Sequence, residues 1–173
     1  MRYLFLLILV TCVCCKNTQK PEVALTAPIE NPVGDALEVY DFEEFESLLH
    51  KKDNYTYVIN FWATWCAPCI KELPHFEQLN AQYADKNVKV ILVSLDFPNQ
   101  YDFRLKPYIS SNGIKSKVVA LNDPDSNSWI PKVDKNWTGA IPATLIYNDQ
   151  KRTFYEQSFD YDQLQTAVKP FLK

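Results

Sequence analysis

The chain has 173 residues, 47% hydrophobic, 23% charged and 14% aromatic, a composition that suits one globular domain with at most an accessory segment. Its three glycines, at 34, 113 and 139, are too widely set for a G-x-G-x-x-G turn or a P-loop, and its two histidines, His50 and His75, form no H-E-x-x-H pair. A net charge of −3 without a Lys/Arg cluster argues against a nucleic-acid partner, which leaves five cysteines to be explained.

Cys12, Cys14 and Cys15 lie at the N-terminus. Met1 and Arg2 precede an apolar run from Tyr3 to Val10, then Thr11-Cys12-Val13-Cys14-Cys15 and a polar start at Lys16. One positive charge, about 8–11 apolar residues and small residues at the end make a signal-peptide pattern. The run is too short to span a bilayer, which takes roughly 20 apolar residues. Residues 1–15 resemble a degenerate bacterial lipoprotein signal, with Cys15, or else Cys14, as the lipidated terminus; an ordinary cleaved signal is the second reading, and a cytosolic start with an apolar terminus is less favoured. Both signal readings imply export. Residues 16–34, punctuated by Pro21, Pro28 and Pro32, show no hydrophobic periodicity and are expected to form a flexible tether. Fully extended, such a tether reaches roughly 60 Å.

The domain is expected over 35–173. Asp41 and Glu44 make a capping-box-like helix start, followed by Phe42, Phe45, Leu48 and Leu49 at helical spacing. Tyr55 to Phe61 reads as a buried strand, 67–84 as a helix with its stripe at Ile70, Leu73, Phe76, Leu79 and Tyr83, and Val88 to Leu95 as a second strand. A helix over 99–111, a strand Val118 to Leu121, a turn at Asp123-Pro124 and a short helix Ser126 to Val133 follow. Ala143 to Tyr147 and Arg152 to Glu156 form a hairpin across Asn148-Asp149-Gln150, and a last helix starts at Asp160 as N-cap. From Tyr55 onward the order β-α-β-α-β-α-β-β-α indicates a mixed sheet with helices on its faces.

The remaining cysteines lie in Trp65-Cys66-Ala67-Pro68-Cys69, between the first strand and its helix. A lone C-x-x-C also fits half of a zinc site, but zinc takes four ligands and His75 is the sole further soft ligand nearby. No metal is therefore expected. At a helix N-terminus, unpaired N–H groups and the macrodipole stabilise a thiolate at Cys66. Pro68 fits the first turn, where its missing N–H costs nothing. Cys69, one turn on, is placed to attack a mixed disulfide at Cys66. A static structural disulfide is the alternative.

The run Phe61-Trp62-Ala63-Thr64-Trp65-Cys66-Ala67-Pro68-Cys69 resembles the thioredoxin active site. With the export signal, residues 35–173 are similar to the TlpA/ResA group of envelope thiol–disulfide oxidoreductases. The resemblance implies an α/β thioredoxin-like fold, a central mixed β-sheet flanked by helices, with an N-terminal extension and a central insertion between Leu95 and Pro142. Pro74 matches the family's helix-kinking proline. Gly139-Ala140-Ile141-Pro142-Ala143-Thr144 resembles the loop ending in a cis-proline opposite the active site, an ordinary trans turn being the alternative. The resemblance implies that the Ile141 backbone, beside Pro142, pairs with an extended substrate segment. Cytosolic thioredoxins carry a buried Asp where this chain has Asn60, which cannot titrate. The group's C-x-x-C-x-x-E pattern is met by Glu72, implied to accept or relay the Cys69 proton; a solvated surface glutamate is the other reading. Trp62 and Trp65 are expected to pack around the site, with Trp65 at the border of the substrate groove. Tyr101, Phe103, Tyr108, Trp129 and Trp137 serve either partner selection or packing, and packing is the favoured reading.

The expected activity is cofactor-free reduction of disulfides in exported proteins. Cys66 attacks, Cys69 resolves, and a membrane thiol donor re-reduces the pair. An oxidase or isomerase of the same fold is the second enzymatic reading, because net direction follows from potential and partners. A copper-binding assembly protein would use a distant His, and none follows His75; a peroxidase would place its reactive Cys outside C-x-x-C. Apocytochromes, cell-wall enzymes and misoxidised proteins all stay open as targets.

Overall fold

A computed structural model describes residues 37–172. The signal (1–15), the lipidation site at Cys15 or Cys14 and the tether (16–34) lie outside the described residues. The strands are β1 (Glu38–Tyr40), β2 (Thr56–Trp62), β3 (Val88–Ser94), β4 (Lys117–Leu121), β5 (Ala143–Tyr147) and β6 (Arg152–Tyr155). The helices are α1 (Phe42–Glu46), α2 (Ala67–Tyr83), α3 (Lys106–Ser111), α4 (Ser126–Val133) and α5 (Tyr161–Val168).

One sheet runs β1-β4-β3-β2-β5-β6, with β2 parallel to β3 and antiparallel to β5. Every residue of β2 is buried, which explains a sequence that is apolar except at Thr56 and Asn60. Alternation along the strand decides what each residue meets. Val58 and Trp62 pack in one cluster with Leu73, Phe76 and Leu79 of α2 and Leu164 and Val168 of α5. Tyr57, Ile59 and Phe61 pack in the other with Phe42 and Phe45 of α1 and Trp129 and Val133 of α4. Asn60 has the parity of Val58 and Trp62, so the strand itself carries it to the α2 face.

Three details differ from the sequence expectations. Strand β1 was not foreseen: it is a three-residue edge strand parallel to β4, with Val39 exposed, too short to leave an apolar pattern. The helix expected over 99–111 is a 3-10 turn at Pro98–Gln100, a π-helical turn at Tyr101–Leu105 and then α3. Pro107 has no N–H for the Phe103 carbonyl and its ring crowds that oxygen, so the chain widens in the preceding turn, where the Lys106 N–H donates to the Tyr101 carbonyl. At Asp41 one arm of the expected capping box forms, its carboxylate accepting from the Glu44 N–H at 2.9 Å. The reciprocal box is at α5: Asp160 accepts from the Gln163 N–H at 2.8 Å, and the Asp160 N–H donates to the Gln163 side chain at 3.1 Å.

Candidate active site

Strand β2 ends at Trp62, and a turn closed by the Cys66 N–H on the Ala63 carbonyl (3.1 Å) delivers Cys66 to the start of α2. Cys66 is the N-cap, extended at φ −91° and ψ 98°, and the Cys69 N–H points at its sulfur from 3.3 Å. Pro68 occupies the exposed first turn, and Pro74 lies inside α2 with no N–H for the Ile70 carbonyl. Cys66 and Cys69 are joined as a disulfide. Cys66 keeps 6% of its surface exposed while Cys69 has none, so an incoming reagent reaches Cys66 first.

Facing this pair is the loop before β5. The Ile141–Pro142 peptide bond is cis, the isomer that the resemblance implies, and the Ile141 carbonyl oxygen lies 3.7 Å from Cys66 Sγ. Ile141 is half-buried and Pro142 buried. The Trp137 indole N–H donates to the Ala140 carbonyl at 2.8 Å. The Glu156 carboxylate accepts from the Thr138 N–H (3.2 Å), the Ala140 N–H (3.0 Å) and the Thr138 hydroxyl. Burial pushes the Glu156 carboxyl up, but these donors outweigh it and hold the group below its ordinary pKa. Gly139 sits at φ +92° with Ile130 Cδ1 3.1 Å from where a Cβ would stand, so both backbone and space call for glycine.

Beneath the disulfide, Asn60 donates to Glu72 Oε1 at 2.9 Å and to Thr144 Oγ1 at 3.1 Å. The Phe159 N–H donates to Glu72 Oε2 at 2.8 Å. Glu72 is 2% exposed, so it is no surface glutamate. Burial raises its pKa to about 7, although the Phe159 and Asn60 donors favour the anion. Three residues past Cys69, it shares that cysteine's side of α2.

A second polar knot holds the Cys66 turn. The Asp96 carboxylate, 2% exposed, accepts from the Thr64 N–H at 3.0 and 3.2 Å, from the Thr64 hydroxyl, and from the Ser94 hydroxyl at 2.8 Å. Arg104 donates to the Thr64 carbonyl at 3.3 Å. Sequence reasoning missed Asp96, Thr64, Arg104, Thr144 and Glu156. One signal for Asp96 was available: it follows β3 at the carboxyl end of a sheet strand, where α/β folds gather site residues.

The tryptophans divide. Trp62 is fully buried and packs against Tyr108 at 5.6 Å, whereas Trp65 is 48% exposed beside Cys66. Among the insertion aromatics Tyr101, Trp129 and Trp137 are buried, but Phe103 is 69% exposed.

Comparison with known proteins gives a family. The model of the AhpC/TSA family matches residues 37–153. The chain belongs to the AhpC/TSA family. Among curated relatives, this AhpC/TSA chain is 39% identical over 64 residues to the thiol-disulfide oxidoreductase ResA of Oceanobacillus iheyensis, covering 32% of this chain and 33% of that protein. It is 25% identical over 120 residues to ResA of Halalkalibacterium halodurans, covering 69% and 62%. These matches thus span from a third to about three fifths of the relatives' own length. A thioredoxin-family thiol:disulfide interchange protein of Chlorobium tepidum superposes with a TM-score of 0.55 at 22% identity, covering 67% of this chain and 79% of that one. The fold is thioredoxin-like, and the resemblance to ResA-type oxidoreductases read from the motif is borne out.

Proposed function

We propose that the chain is a thiol–disulfide oxidoreductase of the cell envelope that reduces disulfides in exported proteins. One observation carries the reading: Cys66 caps α2 with the Cys69 N–H on its sulfur, the buried Cys69 behind it and the Ile141 carbonyl opposite. The reduced Cys66 thiolate attacks one sulfur of a substrate disulfide, forming the Cys66 mixed disulfide and releasing one substrate thiolate. The Cys69 thiolate then attacks Cys66 Sγ, which closes the Cys66–Cys69 disulfide and releases the second substrate thiolate. Two electrons pass to the substrate, and a membrane thiol donor returns two to the pair. Glu72 takes the Cys69 proton before the second attack; a buried carboxyl that titrates near 7 can take a proton and give it back. The main chain at Ile141, beside Pro142, binds the substrate segment in extended form.

The N-terminal pattern supports the location. Residues 1–15 act as the signal, Cys15 (or Cys14) carries the lipid, and 16–34 tether the 35–173 domain to the membrane. Replacing Cys14 and Cys15 by Ser is expected to move the protein from the membrane to the soluble fraction. No helix among the described residues is long and apolar enough to cross a membrane.

The experiment for the activity is a redox titration of Cys66–Cys69 against glutathione, with the thiol state read in intact cells. A reductase shows a strongly reducing potential and a reduced pair. A potential of about −120 mV with an oxidised pair assigns an oxidase instead. In parallel, Cys69→Ser is expected to accumulate a mixed disulfide at Cys66, whose partner names the substrate.

A further inference from the structure

We propose that Trp65, Phe97 and Phe103 form an apolar rim beside Cys66 that grips unfolded substrate segments through a large apolar residue flanking the reacting cysteine. The inference rests on disulfide exchange at Cys66 and adds the class of segment preferred.

Four large apolar side chains are exposed among the described residues: Val39 at 43%, Trp65 at 48%, Phe97 at 62% and Phe103 at 69%. Val39 lies on the edge strand β1. The other three come from separate places in the chain, yet each is the covalent neighbour of one member of a single hydrogen-bonded knot. Trp65 follows Thr64, Phe97 follows Asp96, and Phe103 precedes Arg104; Asp96 and Arg104 both bond Thr64. Consecutive Cα atoms stand about 3.8 Å apart, so the backbone beside each aromatic is tied to the turn that ends at Cys66.

Their exposure does not follow from poor packing of the segment. Within the π-helical turn Tyr101 and Leu105 are buried and anchor it, and Phe103, midway between them, lies on the opposite side, facing water. The knot is also stiff, because the Asp96 carboxylate is buried and its own N–H is bonded to Ser94 Oγ at 3.1 Å. A preorganised apolar surface loses little entropy when it is covered.

The occupant follows from position. Any disulfide that reaches Cys66 comes against Trp65, the next residue, so the rim touches the residues flanking the substrate cysteine. Folded proteins keep most of their large apolar residues buried, and unfolded or misoxidised segments offer them. The one cation in the knot, Arg104, disfavours a basic flank.

The test uses the full-length protein and two disulfide-linked peptides, one with Leu and Phe flanking the cysteine and one with Ser and Gly there. The readout is the ratio of their reduction rates within each protein, which needs no assumption about overall activity. Wild type is expected to favour the apolar peptide by about tenfold, and the Phe97→Ser/Phe103→Ser double variant to bring the ratio near one. An even ratio in wild type, or an unchanged ratio in the variant, overturns the rim. Binding of the same peptides with Ser in place of Cys, followed by tryptophan fluorescence, tests the rim without exchange. If neither disulfide peptide is reduced, the activity fails, while stronger binding of the apolar Ser peptide still supports the rim and equal binding rejects it. Concentration-dependent dimerisation that the double variant abolishes assigns the patch to a second copy and overturns the proposal.

Discussion

Asn60 and Glu72 meet inside the molecule, the amide donating to Glu72 Oε1 at 2.9 Å with both residues nearly or wholly out of water. One belongs to the central strand and the other to the helix that starts at Cys66, so the bond fixes a titrating carboxyl to the rigid part of the fold. Two fixed donors and strong burial pull its pKa in opposite directions, and burial wins, which leaves the group near 7.

Replacing Glu72 by Gln removes that titration. Between its ordinary 4.5 and about 7 the native protein holds a proton that the unfolded chain has released, so wild-type stability falls as pH rises through this window. The fall is on the order of 3 kcal/mol, and urea unfolding between pH 4 and 8 should show it in wild type and a flatter profile in Glu72→Gln. Cys69 reactivity, followed by alkylation from pH 5 to 9, should change its profile in the variant; an unaltered profile rejects the proton-acceptor role.

Asn60→Ala deletes one of the donors that favour the Glu72 anion. The midpoint of the pH-dependent step is expected to move up by about half a unit to one unit. Asn60→Asp sets a second carboxyl against the first, and the pair should titrate in two separated steps. Carboxyl infrared bands followed against pH distinguish these outcomes from a fixed midpoint.

How much of this was legible beforehand depends on distance along the chain. The Cys66–Cys69 pair and its helix start could be read directly, because strand, spacer and N-cap lie within one short segment. The Ile141 carbonyl beside Pro142 sits across from a cysteine 75 residues earlier, and only family resemblance joined the two. Glu72 was flagged by spacing, but its burial depends on how β2 packs on α2, which spacing alone does not settle. The tie from Asp96 to Thr64 spans 32 residues and involves residue types that are equally common in surface loops. The π-helical turn escaped because Tyr101 and Leu105 fit an ordinary helical stripe.

Asp96→Ala leaves the Thr64 N–H and the Ser94 hydroxyl without their acceptor in a buried place. The expected cost is about 1–3 kcal/mol in urea unfolding, with Asp96→Asn losing less because one acceptor oxygen remains. A loss below about 0.5 kcal/mol for Asp96→Ala contradicts this reading.

Glu156 is a carboxylate whose partners hold its pKa below the ordinary 4.5. Its contribution is present above that value and is lost as pH falls through the folded-state pKa. Amide exchange at Thr138 and Ala140 should therefore quicken in acid beyond the intrinsic trend in wild type. Glu156→Gln is expected to show faster exchange already at neutral pH and no acid step.

Asp96 follows β3 and Glu156 follows β6, and between them in the sheet lie β2 and β5, whose loops they hold. The two jaws of the site are thus guyed from outside by separate anchors, and neither anchor belongs to the redox pair. What the jaws grasp and how electrons move become separately mutable. Changes at Trp65, Phe97 or Phe103 can retune the grasp with the sulfur chemistry intact, while a change at either anchor alters the gap for every client alike.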